Sequence, residues 1–475
     1  MGRYKQFASN TFFLAIGSFS SKVLSFLLVP LYTSILSTEE YGTYDLIVTT
    51  VTLLTPFLTL VISEGVMRFC LDSERYDSKE ILSVGLVVVG VGSILLTFLF
   101  PLFARIEALS DYYLWIWAFF AASNIHLVLT QYLKGVGKIQ LYTACGVVST
   151  AISLILNILF LVVFDWRITG YFLAYLIAHV GVAVFIMIKI NIIKTLVNPF
   201  KIEKRVYRDL IKYTVPMVPN SMSWWISNSS DKYIITWLMS TAALGVYSVA
   251  YKIPSMLTII TSIFSSAFQI SAVEDFGSEK SKKFFENMYA MFASLNVSVA
   301  VVLIAFAKPL AFILFQKEFF IAWETTTILV FAYLFNFLAS TLGTVYTSAK
   351  KTSILFTSTI FGALANVVLN VILIPMFGLI GAAFATLVGY VCVWILRIIN
   401  VRKVLDFNLR IGVNILSYIL VLVEIFLVLW DKSIGYVLAG VVALTTLVIN
   451  GMVLSRTELF SIAVKKFTKK MRGSK

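Results

Sequence analysis

Ionisable side chains occur within or at the edges of several long apolar runs of this 475-residue sequence: Lys22, Glu64, Arg68, Asp231, Lys232 and Lys252. An ionisable group inside a bilayer costs at least about 2.5–3.5 kcal/mol, so each one needs a partner or a function. Lysine and arginine can replace the lost hydration of an anion with charge-assisted hydrogen bonds. These residue types therefore predict the handling of an anionic group, with carboxylates available to bind a proton or a cation.

The composition identifies the environment of these charges. Hydrophobic residues make up 59% of the chain and charged residues 13%, and the mean hydropathy is +0.92. Soluble domains are about half apolar and a quarter charged, so we predict an integral membrane protein. Cys70, Cys145 and Cys392 have neither metal-ligand nor disulfide spacing. We predict no metal site and no cofactor.

Runs of mostly apolar residues recur along the whole chain, and each reaches the length of about twenty that a membrane-spanning helix needs. They cover residues 11–36, 44–67, 81–104, 112–133, 139–164, 168–189, 213–239, 244–272, 287–315, 321–348, 352–376, 378–400, 411–430 and 434–455. The predicted fold is an all-α polytopic membrane protein with about 14 transmembrane helices.

Lysine and arginine are distributed unevenly between alternate loops. One set of loops, which includes both termini, holds most of these cations, whereas the intervening loops hold only Arg105, Arg167, Lys317 and Lys432. Cytoplasmic loops are enriched in lysine and arginine, so both termini are predicted to be cytoplasmic. The same distribution accounts for the net charge of +14 without a nucleic-acid partner.

Two segments of the chain occur twice, in the same order. Residues 36–44 return as residues 239–247, and residues 156–164 return as residues 369–377. This indicates two equivalent six-helix lobes, related by a pseudo-two-fold axis along the membrane normal. We predict an N-terminal lobe (1–197), a cytoplasmic linker with the C-terminal lobe (198–405), two additional helices (406–455) and a basic amphipathic cytoplasmic tail (456–475).

Three features carry a resemblance to a known family: the segment Leu-Ser-Thr-Glu-Glu-Tyr-Gly-Thr-Tyr-Asp at 36–45, the segment Ser-Ser-Asp-Lys-Tyr at 229–233, and the pairs Asn157…Gly170 and Asn370…Gly381. With the number of spans, they make nearly the whole chain resemble the Wzx-type polysaccharide flippases of the multidrug/oligosaccharidyl-lipid/polysaccharide exporter superfamily. The resemblance implies movement of an undecaprenyl-diphosphate-linked sugar unit from the inner to the outer leaflet of a bacterial cytoplasmic membrane. The implied partners are this lipid-linked oligosaccharide, membrane lipids and other polysaccharide-assembly proteins.

The charged spans one, two, seven and eight also contain prolines: Pro30, Pro56, Pro216, Pro219 and Pro254. Proline-interrupted helices at matching places in two halves point to a transport site, so we predict a central cavity between these four spans. The predicted diphosphate-binding residues are Lys22, Arg68, Lys232 and Lys252. The candidates for ion coupling are Glu64 and Asp231. The residues that could bind sugar hydroxyls are Asn124, Gln131, Asn228 and Gln269.

Several charged or titratable side chains have structural alternatives. Glu64 and Arg68 have the i, i+4 spacing of a helical ion pair. Lys252 lies close enough to a span end to reach the outer headgroups. His126 and His179 are single mid-span imidazoles without ligand spacing, for which interhelical hydrogen bonding is the expected role.

Other functional classes make different demands on the sequence. A membrane glycosyltransferase or polymerase needs a sizeable outer loop with carboxylates, and every predicted outer loop is short; we therefore expect no catalytic residues and no enzyme. An ATP-driven pump needs the P-loop pattern, which the segment Lys-Gly-Val-Gly-Lys at 134–138 lacks. A cation-coupled multidrug antiporter of the same superfamily stays open, as do teichoic-acid and peptidoglycan-precursor lipids as cargo. The basic excess within the membrane favours an anionic cargo.

Lys22→Ala is expected to abolish transport without changing membrane insertion or abundance, because Lys22 is predicted to lie too deep in span one to reach the headgroups. Lys22→Arg is expected to retain part of the activity, since the charge persists while its reach and geometry change. Glycan export by cells, normalised to the amount of protein in the membrane, measures both effects. Normal export by Lys22→Ala would contradict the central-cavity hypothesis.

Overall fold

The architecture comes from a computed structural model that describes residues 26–258, 279–349, 351, 353–405, 409, 411–430 and 432–457. Lys22, Gln269 and nearly all of the predicted amphipathic tail lie outside these residues. The regular structure of the described part is entirely helical. Its helices are α1 (Val29–Ile35), α2 (Thr38–Thr59), α3 (Ile62–Cys70), α4 (Ser78–Phe98), α5 (Phe100–Phe103), α6 (Glu107–Ser110), α7 (Tyr113–Gly135), α8 (Ile139–Asn157), α9 (Arg167–Lys189), α10 (Ile192–Thr195), α11 (Lys204–Thr214), α12 (Met217–Leu238), α13 (Thr241–Ala250), α14 (Glu279–Ala305), α15 (Ala307–Leu314), α16 (Ala322–Ser348), α17 (Ser353–Val401), α18 (Ile411–Leu429) and α19 (Ser433–Ser455).

Nine helices of the described part are long and apolar enough to cross a membrane, and the bent pair α2–α3 would make a tenth. Large apolar side chains such as Phe98, Leu114 and Phe426 are exposed on their outer faces, as a surface that faces lipid requires. The predicted all-α multi-pass membrane fold is confirmed. The count of fourteen spans stays a prediction, because several predicted spans extend beyond the described residues.

The chain separates into two compact units. The first contains Met1–Thr236 and Ser240–Gly245, and the second contains Trp237–Met239 and Val246–Lys475. Helix α12 therefore packs almost entirely with the first unit. The lobe boundaries inferred from the sequence repeat stay predictions.

In the first unit, α7 is the central helix and packs against α2, α3, α4, α8 and α9. The apolar core between these helices includes Ile62, Val66, Val128, Leu129 and Ile186, all with at most 1% of their surface exposed. In a bilayer the alternative to burial is contact with lipid, so these helices are held together by close packing of their side chains and not by removal of apolar surface from water.

The linker helix α11 packs onto this core. Its residues Val206 and Leu210 are buried against α3 and α4, so its apolar face covers protein. The Tyr76 hydroxyl donates a 3.0 Å hydrogen bond to Asp209 Oδ2. This hydrogen bond, together with neighbouring arginines, holds the pKa of the Asp209 carboxyl below its usual range. The linker is thus attached to one end of the first unit.

The second predicted span is broken. Helices α2 and α3 are inclined by 60°. Leu60 (φ 52°, ψ 30°) and Val61 (φ 56°, ψ 30°) join them in the left-handed region. This conformation costs on the order of 1–3 kcal/mol for a residue other than glycine, and it is a genuine outlier for β-branched valine. Such strain persists only where the surrounding structure holds it, and it is concentrated at functional sites.

The first repeated segment contacts its own copy. A Cβ atom at Gly42 would overlap the carbonyl oxygen of Thr241, and a Cβ atom at Gly245 would overlap the carbonyl oxygen of Thr38. Thr38 and Gly42 hold the same places in the first copy as Thr241 and Gly245 hold in the second. The contact is therefore reciprocal, as at an interface with a local two-fold axis. Glycine at both positions lets the first turns of α2 and α13 meet backbone to backbone.

The second repeated segment packs in the same way in each unit. In the first unit, a Cβ atom at Gly170 would lie 2.9 Å from Cβ of Phe160 and 3.2 Å from its carbonyl oxygen. In the second unit, a Cβ atom at Gly381 would overlap the carbonyl oxygen of Leu373. Each partner lies one helical turn after the asparagine of the repeat, and both asparagines are buried. The asparagine and glycine that both copies share thus mark a site of close helix packing.

In the second unit, α16 is the central helix and is buried along most of its length. It packs along α17 and against α14, while α18 and α19 pack on each other and on α14. Helix α17 contains two predicted spans, which meet at Gly378, where φ is 58° and ψ is −136°. Only glycine adopts such a conformation readily, so the reversal between these spans depends on this residue.

Arg397 lies near the end of the predicted span at 378–400. The structure buries it inside the second unit with 4% of its surface exposed. Its guanidinium donates to Ser358 Oγ (3.1 Å), to the carbonyl oxygen of Ala339 (2.8 Å) and to Thr359 Oγ1 (3.1 Å). Neutral acceptors on α16 and on the first half of α17, before the kink at Gly378, therefore take the place of water around this guanidinium.

Gly170→Ala is expected to lower the free energy of unfolding by about 1–3 kcal/mol, because the added methyl group overpacks the contact with Phe160. Gly181 is the matched control in the same helix, since a Cβ atom there meets nothing within 4 Å. Gly181→Ala is expected to be neutral or to stabilise by about 0.5–1 kcal/mol. Thermal unfolding in lipid nanodiscs measures both variants, and equal melting temperatures would contradict this description of the packing.

Candidate functional site

A cavity of about 590 Å³ lies in the first unit, beside the break between α2 and α3. Helices α2, α3, α7, α9 and α12 contribute to its wall, which includes the strained Val61. Its polar side chains are Thr52, Thr55, Ser63, Glu64, Ser123, Asn124, His126, Tyr175, His179 and Ser221. A concave site with apolar walls and a few convergent polar groups is the expected form of a small-molecule or ion site.

Glu64 is the one acidic residue on the described wall of this cavity. It lies in the first turn of α3, where the positive end of the helix dipole favours a carboxylate. Gln131 of α7 donates a hydrogen bond to Glu64 through Nε2, with an N–O distance of 3.3 Å. Arg68, one turn further along α3, is exposed. The i, i+4 ion pair that the spacing allows is not formed between these two described residues.

His126 of α7 and His179 of α9 meet at this cavity. Their ring centroids are 5.1 Å apart, and the ring planes are inclined by 82°. Tyr175 stacks on His179, with ring centroids 4.1 Å apart. The two imidazoles are isolated in the sequence, because no motif links them and only the packing of α7 on α9 brings them together. The sequence contains one indication that the two rings could act together: the chain has two histidines in total, and both lie in the middle of predicted spans.

Two of the predicted sugar-binding residues lie at or behind this cavity. Asn124 lines it and donates a 3.1 Å hydrogen bond to Thr55 Oγ1. Gln131 orients Glu64 as described. Asn228 is exposed and donates to a carbonyl oxygen of its own helix. Sugar binding by these residues stays a prediction.

Lys232, a predicted diphosphate-binding residue, forms an ion pair with Asp45. Its Nζ atom lies 2.7 Å from Asp45 Oδ2, and the two side chains are 19% and 20% exposed. The same Nζ atom donates to Thr49 Oγ1 at 3.4 Å, and the neighbouring Tyr233 shares a 2.6 Å hydrogen bond with Thr50. These contacts hold α12 against α2. The sequence contains one indication that Asp45 matters: it is the last residue of the segment that carries the family resemblance.

The predicted cations are distributed along the molecule. Asp45, the partner of Lys232, lies near the start of α2, whereas Arg68 lies near the end of α3. The part of the bent pair α2–α3 between them is on the order of 25 Å long. In this conformation Arg68 and Lys232 therefore do not contact one diphosphate together. Lys252 is half-buried in the second unit. Asp231 is buried and accepts a 2.9 Å hydrogen bond from the backbone N–H of Lys232.

Comparison with known families identifies the chain. Residues 7–273, more than half of the sequence, match the family model for polysaccharide biosynthesis proteins. The chain belongs to this family. Residues 216–372 also match the family model described as MatE. The predicted relationship to the polysaccharide flippases of the exporter superfamily is thereby confirmed.

Two curated proteins are similar to part of the sequence. The probable low-salt glycan biosynthesis flippase Agl15 of Haloferax volcanii is 26% identical over 190 residues, which are 38% of this chain and 39% of the relative. The uncharacterized membrane protein MJ1068 of Methanocaldococcus jannaschii is 25% identical over 207 residues, which are 43% of this chain and 41% of the relative. The chain thus spans about two-fifths of the length of the curated relatives it matches.

Solved structures share the fold over most of the chain. The lipid II flippase MurJ in an inward closed conformation has a TM-score of 0.70 and 15% identity, and the match covers 93% of this chain and 98% of that chain. An inward-facing multidrug resistance MATE family transporter of the MOP superfamily has a TM-score of 0.63 and 14% identity, with 81% and 95% covered. At these identities the likeness establishes the fold of this family member.

Lys232→Ala is expected to lower the free energy of unfolding by about 1–3 kcal/mol, because Asp45 loses its half-buried partner. The exchanged variant, Asp45→Lys with Lys232→Asp, is expected to recover most of the stability but not transport, since a carboxylate then occupies the position of the cation. Lys201→Ala removes an exposed lysine and is expected to change stability by less than about 0.5 kcal/mol. Melting temperature and glycan export are measured on the same preparations. Normal transport by the exchanged variant would assign Lys232 a structural role alone.

Proposed function

We propose that this protein is a flippase that moves undecaprenyl-diphosphate-linked oligosaccharide units from the cytoplasmic to the outer leaflet by alternating access. Its product would supply the export of a cell-surface polysaccharide such as capsule, O-antigen or exopolysaccharide. The observation that carries the proposal is the match of residues 7–273 to the polysaccharide biosynthesis family. The name of the Haloferax relative, a probable glycan biosynthesis flippase, supports the same class of cargo.

The setting that fits this function is the bacterial cytoplasmic membrane, with both termini in the cytoplasm. The concentration of lysine and arginine in alternate loops supports this orientation. In it, Arg68 lies towards the inner face and the Asp45–Lys232 pair towards the outer face. Other polysaccharide-assembly proteins would receive the glycan on the outer side.

The separation of Arg68 from Lys232 favours successive contacts with the diphosphate over one cradle. Arg68, exposed at the end of α3, would bind the diphosphate as it leaves the inner headgroup layer, because a guanidinium matches two phosphate oxygens. Lys232 would receive it in the outer half, where the phosphate competes with Asp45 for the ammonium group. Lys22 and Lys252 are the further cations proposed for this path.

A cation-coupled antiporter for small molecules is the second candidate function. Residues 216–372 match the MatE family model. In addition, the cavity of the first unit is lined by Glu64 and two imidazoles, without lysine or arginine on its described wall, which suits a cationic ligand. Peptidoglycan-precursor and teichoic-acid lipids would use the same cations as the proposed oligosaccharide lipid and differ from it in their headgroups.

The deciding experiment is a leaflet assay in proteoliposomes with a fluorescent undecaprenyl-diphosphate oligosaccharide. A quencher added outside reports the accessible fraction over time. The wild type is expected to exchange the lipid, and Arg68→Gln to slow this by about tenfold, as loss of one charge-assisted contact implies. Lys201→Ala is expected to match the wild type. Uptake of a fluorescent organic cation under a proton or sodium gradient, without lipid exchange, would instead support the antiporter.

A further inference from the structure

Several hydrogen-bond donors on the wall of the first unit's cavity are already engaged. The hydroxyl groups of Thr52, Thr55 and Ser123 each donate to a carbonyl oxygen of their own helix, at 2.8, 2.9 and 2.6 Å. Asn124 donates one N–H to the carbonyl oxygen of Phe120 (2.8 Å) and the other to Thr55 Oγ1 (3.1 Å). The donors of these four side chains are therefore not available to a ligand.

The same wall offers acceptors to a ligand. Glu64 accepts a 3.3 Å hydrogen bond from Gln131 Nε2, and a carboxylate can accept several more. Nδ1 of His179 lies 2.9 Å from the carbonyl oxygen of Tyr175. Because a carbonyl oxygen only accepts, Nδ1 carries the hydrogen, and Nε2 of the neutral ring can accept a further bond. Asn124 keeps its amide oxygen for the same purpose. The cavity thus suits a ligand that brings its own donors.

One buried atom of the wall lacks a partner. Nε2 of His126 makes no hydrogen bond within the part of the chain that the structure describes, and such buried atoms are uncommon in folded proteins. A hydroxyl group both donates and accepts, so it could pair with this nitrogen in either tautomer of the ring. The wall also contains the apolar side chains of Val48, Val51 and Leu127. It therefore combines sites for hydroxyl groups with surfaces for a carbon framework.

The charge of the wall restricts the ligand further. Glu64 is its single acidic residue, and neither lysine nor arginine accompanies it among the wall residues described. A diphosphate or a carboxylate in this cavity would meet a negative charge and acceptor atoms without a compensating cation, which is unfavourable in apolar surroundings. A neutral ligand rich in hydroxyl groups, such as a sugar ring, meets neither obstacle.

Arg68 lies on the same face of α3 as Glu64, one turn or about 5.4 Å further along the helix. The two side chains do not pair: Glu64 is bonded to Gln131, and Arg68 is exposed. The guanidinium can therefore bind phosphate oxygens. In a sugar diphosphate a single oxygen atom joins the ring to phosphorus. A phosphate at Arg68 consequently brings the attached ring within reach of Glu64.

We infer that the cavity of the first unit binds the sugar residue attached directly to the diphosphate, and that this sugar is an uncharged ring and not a uronic acid. Arg68 binds the diphosphate, whereas Glu64 and Asn124 accept hydrogen bonds from the ring hydroxyl groups. This inference rests on the proposed function. It divides the headgroup of the lipid between a cationic end of α3 and an acceptor-rich cavity beside it.

A photoreactive probe tests the position of the sugar. The probe is a short-chain prenyl diphosphate that carries glucose with a diazirine group on the ring, and the protein is the full chain in lipid nanodiscs. Irradiation is expected to label peptides of α2, α3 or α7 that line the cavity. An excess of the same compound without the diazirine is expected to suppress this labelling. Labelling confined to peptides outside the cavity wall overturns the inference.

Glu64→Gln tests the selection by charge. Calorimetry measures the affinity of three compounds: the prenyl diphosphate alone, its glucose derivative and its glucuronic acid derivative. The wild type is expected to bind the glucose derivative about tenfold more tightly than either of the others. In Glu64→Gln the two sugar derivatives are expected to differ by less than about threefold, because the repulsion of the uronate and a charged acceptor are both lost. Binding of the prenyl diphosphate alone is expected to stay unchanged.

Glu74→Gln is the matched control, since Glu74 is an exposed carboxylate in the loop after α3 and not on the cavity wall. It is expected to keep the wild-type preference for the glucose derivative. Arg68→Gln is expected to weaken all three compounds by about tenfold, because each contains the diphosphate.

The outcomes separate this inference from the proposed function. Equal affinity of the wild type for both sugar derivatives, or a preference that Glu64→Gln and Glu74→Gln change equally, overturns the sugar site. Exchange of the fluorescent lipid between leaflets would then still support the flippase. If no diphosphate compound binds and a monovalent organic cation does, both the sugar site and the flippase are rejected in favour of the antiporter.

Discussion

The bilayer requires the chain to satisfy its own polar groups, and the rest of the structure depends on this constraint. Hydrocarbon offers no hydrogen bonds, so the backbone folds into helices wherever it meets lipid. Irregular backbone is tolerated only where it is buried in protein or borders a polar cavity. The break at Leu60 and Val61 meets this condition, because a cavity with hydroxyl, amide and imidazole groups lies beside it. The position of the candidate site thus follows from where a spanning helix can be interrupted.

The intramembrane charges obey the same constraint in three different ways. Lys232 has a carboxylate partner at 2.7 Å, so its charge is neutralised locally. Arg397 has a carbonyl acceptor on α16 and hydroxyl acceptors on the first half of α17, so its charge is solvated by protein and its N–H groups are fixed. Glu64 faces a cavity and has one amide donor. The ammonium group of Lys232 can exchange Asp45 for another anion. The guanidinium of Arg397 is held rigidly, and the cavity beside Glu64 leaves room for a cation. Charge alone therefore does not identify a transport residue.

The fold could be predicted from the sequence because its determinants are local. Apolar runs specify spanning helices, and the two repeated segments specify paired glycine contacts that the structure contains at Gly170 and Gly381. The pairing of His126 with His179, and of Lys232 with Asp45, depends on which helices become neighbours. Helical periodicity defines the face of a side chain but not the helix it meets. Glu64 and Asn124, which the sequence singles out, line the cavity, whereas the meeting of the two histidines there could not be predicted, because it depends on the packing of α7 on α9.

Gly42 and Gly245 limit how the two halves of the gene can diverge. Each glycine fits because the opposite segment presents bare backbone at that point, so a larger side chain in either half requires a compensating change in the other. After a duplication, most positions of the two halves drift independently. The segments at 36–44 and 239–247 cannot drift independently, because each packs against the backbone of the other. The reciprocal contact thus ties the segment at 36–44 to the segment at 239–247.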